Sequence, residues 1–115
     1  MKLLVHSATG PENATRAALA LLVARAAVEE GHDVRLFLAG DAVHLARDAT
    51  ATAVHGLGTG NASEHLAALR GAGVTVYLSG MSSKARGIEG GEGTQLCPPA
   101  KLVELADWAD TTFTY

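Results

Sequence analysis

Cysteine, aromatic residues and charge are all scarce in this chain of 115 residues. A single cysteine excludes an intrachain disulfide framework. Only one Trp, two Tyr and two Phe are present, so the apolar material is Ala, Leu and Val, which suits helices packed closely on a sheet. Charged residues make up 18% of the chain, below the usual quarter, which points to surface covered by other subunits. The net charge is −3 and the few Lys and Arg are scattered. Without a basic stripe to displace counterions, nucleic acid is disfavoured as a partner. The longest apolar run, residues 17–24, ends at Arg25 and is too short to cross a bilayer, so no membrane partner is expected. The first ten residues hold one Lys and too few apolar residues for a signal peptide, which makes the cytoplasm the expected location. The five histidines lack Cys or carboxylate neighbours at ligand spacing. No metal site and no cofactor is therefore expected.

What is present is an alternation of strand and helix patterns over one domain, residues 1–115. Residues 2–5 read as a strand entering a polar loop, and Asn13 is a good N-cap for a helix over 14–30 stopped by Gly31. Leu19, Leu22, Val23 and Ala26 share a face of that helix, with Arg25 and Glu29 paired outside. Residues 34–39 form a second strand, and a βαβ unit makes the two strands parallel neighbours. Asp41 is placed to cap a short helix through Arg47. Residues 48–60 carry no periodic pattern and read as a mobile loop with an extended piece at 52–55. Asn61, with Glu64 three residues on, opens a helix that ends at the glycines Gly71 and Gly73. Residues 74–78 are a third strand, residues 79–83 a loop, and the glycine-rich 87–93 a flexible link. A short strand at 94–96, a helix opened by Pro98 and Pro99 with Leu102, Leu105 and Ala106 inward, and a strand at 111–115 complete the chain. The fold class is α/β: a three-layer α/β/α sandwich around a mostly parallel sheet of about five strands.

In such a sheet ligands bind beyond the carboxyl ends of the strands. The sequence puts His6, Ser7, Asp41 and the stretch Ser79, Gly80, Ser82, Ser83, Lys84 and Arg86 there: an imidazole, a carboxylate, hydroxyls and two cations. The helix starting near Asn13 offers free N–H groups beside Arg16, which favours an anion. The same residues also make ordinary strand-to-helix turns. No G-x-S-x-G elbow exists, and the glycines at 56, 58 and 60 are too close for a dinucleotide fingerprint. Cys97 precedes the last helix, whose dipole would lower its pKa if the sulfur pointed that way. The alternative is a small buried hydrophobe.

The stretches Ala14-Thr15-Arg16-Ala17-Ala18, Glu30-Gly31-His32-Asp33-Val34, Phe37-Leu38-Ala39-Gly40-Asp41 and Gly73-Val74-Thr75-Val76-Tyr77 with Ala85-Arg86-Gly87 occur in an order that resembles the DsrE/DsrF-like (DsrEFH-like) family. The resemblance spans nearly the whole chain. It implies the family's α/β/α fold, assembly into trimers or hexamers, and sulfur relay through a persulfide on a cysteine after the third strand. Carriers have Cys where this chain has Ser79, and often a second where it has Ser82. A hydroxyl forms no persulfide, so that mechanism does not transfer to those positions.

Three functions follow. The first is a non-catalytic homo-oligomer that binds a small anionic ligand or a partner at residues 79–86. The second is a persulfide carrier or sulfurtransferase with Cys97 as the catalytic thiol. The third is a structural subunit that packs against homologous chains.

Overall fold

The computed structural model describes residues 1–115. Strand β1 (Lys2–Ser7) leads through a 3-10 turn to helix α1 (Ala14–Glu29), and β2 (Asp33–Leu38) returns beside β1 in parallel. Another 3-10 stretch, Gly40–Ala46, precedes α2 (Asp48–Ala53), the two-residue strands β3 (His55–Gly56) and β4 (Gly60–Asn61), and α3 (Ala62–Gly71). Then come β5 (Val76–Ser79), α4 (Gly80–Arg86), β6 (Thr94–Cys97), α5 (Pro99–Trp108) and β7 (Thr111–Thr114). The main sheet has five strands in the order β6-β5-β2-β1-β7, all parallel.

Register explains the layers, because alternate residues of a strand point to opposite faces. Leu3, Val5, Leu36, Leu38, Val76 and Leu78 join Ala20, Leu21, Ala24, Leu66 and Leu69 of α1 and α3 in the larger core. The opposite face holds a smaller cluster, Leu4, Phe37, Tyr77, Cys97 and Leu105, beneath α5. Helices therefore cover both faces, but one is covered by a single helix.

Several expectations need correction. The buried side of α1 carries Ala17, Ala20, Leu21, Ala24 and Ala27, whereas Leu19, Leu22 and Val23 are half-buried and Ala26 is exposed. The helix is apolar around its circumference, so spacing alone gave no direction. Small alanines win the inner side because they let the helix lie close to the sheet. Residues 48–60 are ordered: Thr52 is helical, and the extended pieces are β3 and β4, which form an antiparallel hairpin. The hairpin is tied to the first turn of α1, with Leu57 N–H donating to Thr15 Oγ1 at 3.1 Å and Thr59 Oγ1 donating to Thr15 O at 3.0 Å. Ile88 is buried in the larger core and its N–H donates to Ser83 O, so the glycine-rich link is anchored at its start. On α5, Leu105 is buried and Leu102 packs against the same cluster, but Ala106 is exposed.

Caps behave as their chemistry dictates. Asn13 Oδ1 accepts from Arg16 N–H and Asn61 Oδ1 from Glu64 N–H, each at 3.1 Å. Asp41 does not cap: the 3-10 stretch has Ala39 at its N-cap with no side-chain bond, and Asp41 lies in the first turn.

Candidate functional site

The carboxyl end of β5 builds the candidate site. Residues 79–86 are not a loop: β5 passes directly into α4 at Ser79. Ser79 Oγ accepts from Ser82 N–H at 3.2 Å, an N-cap bond that starts the helix. Gly87 stops it in the left-handed conformation, φ +64°, where glycine carries no Cβ penalty. Two of the hydroxyls that spacing suggested for a turn, those of Ser79 and Ser82, instead cap and brace a helix.

Ser82 Oγ accepts from Gly40 N–H at 2.9 Å, which ties α4 to the turn after β2. Arg86 Nε donates to Asp41 Oδ1 at 3.1 Å, and its Nη1 donates to Ser82 O at 3.1 Å. Arg47 Nη2 donates to Gly87 O at 3.1 Å across the same seam. Ser83 is fully buried and its Oγ has no partner. Lys84 is exposed and enters no ion pair, and Met81 beside it is 71% exposed.

The structure thus brings Asp41, Ser82 and Arg86 together. His6 and Ser7 end β1, which β2 separates from β5, and they point to opposite faces. Ser7 is buried, its Oγ accepting from Thr9 N–H at 3.2 Å. His6 is half-buried, with its ring centroid 6.0 Å from that of Phe37. Burial pushes its pKa below the ordinary value of 6.5, because the imidazolium loses hydration there. Arg16 is exposed on the first turn of α1 and makes no ion pair.

Cys97 ends β6 directly opposite Ser79 in the sheet. No feature of the sequence indicated this adjacency, since it depends on β6 pairing with β5. The thiol is 4% exposed and donates to Gln95 O at 3.3 Å. Its pKa is raised, first by burial; the Lys101 ammonium opposes that and the Glu104 carboxylate adds to it. The direction is the opposite of helix-dipole activation and is set by desolvation. No group of three or more His, Cys, Asp or Glu side chains is placed to hold a metal ion. No helix is long and apolar enough to cross a membrane.

The sequence profile of the DsrE/DsrF-like family matches residues 1–115, the whole chain. The chain belongs to the DsrE/DsrF-like family. A solved structure, the crystal structure of the ychN protein from E. coli, has the same fold: the TM-score is 0.82 at 24% identity, covering 100% of this chain and 99% of that one. No curated protein matches the sequence. The chain is a member of a sulfur-relay type of family with a Ser-capped helix at the end of β5.

Proposed function

We propose that this DsrE/DsrF-like chain is a non-catalytic homo-oligomeric protein of the cytoplasm that docks a protein partner on the outer face of α4. The observation that carries the proposal is the internal use of the polar groups at residues 79–86. Ser79 is spent on the helix cap, Ser82 on Gly40, and Arg86 on Asp41 and Ser82. That leaves Lys84 as one solvated point charge, too little to hold a small anion against water. The exposed Met81 adds an adaptable apolar contact suited to a protein surface.

A second reading is favoured by one observation: Cys97 stands beside Ser79 across the β5–β6 ladder, one strand from the position where carriers have cysteine. The Cys97 thiolate would attack the outer sulfur of a sulfane donor. A new S–S bond would form, the donor's bond to that sulfur would break with its electron pair, and Cys97 would be left as a persulfide. Burial and the raised pKa oppose this step.

Native and intact mass spectrometry after exposure to a sulfane-sulfur donor separates the readings. The proposal expects an oligomer whose chains gain no sulfur, and a loss of assembly or partner capture in Met81→Asp. One added sulfur atom in the wild type but not in Cys97→Ser would replace it with the second reading. A monomer at micromolar concentration would remove the homo-oligomer.

A further inference from the structure

A cavity of about 310 Å³ opens at the other end of the sheet, where the amino ends of β2 and β5 part. Strand β2 pairs with β1 from Asp33 onward but with β5 only from Leu36. The bonds Asp33 N–H to Met1 O and Ala39 N–H to Ser7 O show that odd-numbered residues of β2 turn their main-chain groups toward β1. The even-numbered ones face β5. Val34 therefore turns its N–H and C=O into the split, where no strand partner meets them. Val76 N–H donates to Gly93 O on the β6 side, which by the same alternation turns Thr75 N–H toward β2, also unpaired. Val34 is buried, and buried main-chain groups require partners.

Side chains around the split add two opposite charges. Asp33 and Arg35 line the cavity from the same side of β2, about 7 Å apart along the strand. Neither has an ion-pair partner, in contrast to Arg86 at the other end of the sheet. The Arg35 guanidinium lies over the Trp108 ring, 4.1 Å from its centroid, which holds it in place while leaving its N–H donors free. Val28, Val34 and Val74 give the cavity an apolar wall. The site thus offers a guanidinium fork, a carboxylate, main-chain donors and a main-chain acceptor against an apolar surface. A phosphate brings more negative charge than a carboxylate and no cation to offset it, so it would be repelled by Asp33.

We propose that this cavity binds a free α-amino acid with an apolar side chain, its carboxylate on Arg35 and its ammonium on Asp33. A planar carboxylate matches the guanidinium fork. The ammonium supplies the donor that the acceptors lack, and the side chain covers the valines. The site is independent of the α4 surface and of Cys97.

Titration of the ¹⁵N-labelled protein with L-leucine, followed by amide chemical shifts, tests the assignment. Saturable shifts are expected at Val34, Arg35 and Thr75. Isoamylamine, which lacks the carboxylate, and 4-methylpentanoate, which lacks the ammonium, should bind about tenfold or more weakly, as loss of one charged hydrogen bond implies. Asp33→Asn should weaken L-leucine by a similar factor while 4-methylpentanoate, freed of the like charge, binds no more weakly than to the wild type; Asp33 is exposed and makes no side-chain bond, so the fold is preserved. Absence of shifts at these amides with L-leucine near its solubility limit overturns the proposal. Equal binding of 4-methylpentanoate or inorganic phosphate also overturns it, leaving a simple anion site on Arg35.

Discussion

Adjacent serines of α4 should respond to the same substitution with opposite sign. Ser82→Ala removes the acceptor for Gly40 N–H, a partly buried donor bonded at 2.9 Å. Leaving such a donor unpaired costs about 1–2 kcal/mol. Alanine's better helix propensity returns about 0.4 kcal/mol, for a net loss of about 1 kcal/mol. Ser83→Ala removes a hydroxyl that is already fully buried without a partner. Relief of its desolvation, reduced by the small void left behind, together with the same helix gain should stabilise by about 1 kcal/mol. With a urea m-value of ~1.5 kcal/mol per M, the two midpoints should move about 0.7 M down and 0.7 M up, the slope unchanged. Equilibrium urea unfolding followed by circular dichroism reads both. If the two variants move in the same direction by the same amount, the hydrogen-bond assignments around Gly40 and Ser83 are wrong.

Glycine-to-alanine changes give a second pair of opposite sign. A Cβ on Gly10 would collide with the Asp41 carbonyl oxygen, so Gly10→Ala should cost about 2–3 kcal/mol, whereas Gly71→Ala at the end of α3 meets nothing and should stabilise by about 0.5 kcal/mol; thermal unfolding of the two variants checks this. His6 has a lowered pKa when folded, so the unfolded chain binds the extra proton first as pH falls. Its contribution to stability is present above pH 6.5 and is lost as pH drops from there through the lowered folded value; His6→Gln should flatten that part of a stability–pH profile. Cys97 should alkylate with iodoacetamide slowly in the native protein and fast in urea; rapid native modification near neutral pH would contradict its burial and raised pKa.

Local chemistry made much of the architecture legible. Asn13 and Asn61 are placed three residues before the N–H groups they accept, so both helix starts could be named from spacing. Gly31 and Gly73 take positive φ where the stops were expected. The hairpin at 55–61 was hidden because two-residue strands have no period to detect, and its hold on α1 comes from Thr15, distant in sequence. The serine stretch misled in a different way: a hydroxyl cap and a hydroxyl turn use the same residues, and only the distances between Ser79, Ser82 and Gly40 distinguish them.

By itself the sequence determined the order of the five sheet strands and of helices α1, α3 and α5, the caps of α1 and α3, the family, and the absence of a thiol at positions 79 and 82. These depend on interactions within a few residues, or on residue identity alone. Only the tertiary structure decided which side of α1 is buried, that Cys97 stands beside Ser79, that Arg86 is neutralised by Asp41, and that Asp33 and Arg35 flank a cavity between parting strands. Each of those results from strand order and close approach between distant segments. In a chain whose longest helix is apolar all round, such contacts leave no mark on local spacing.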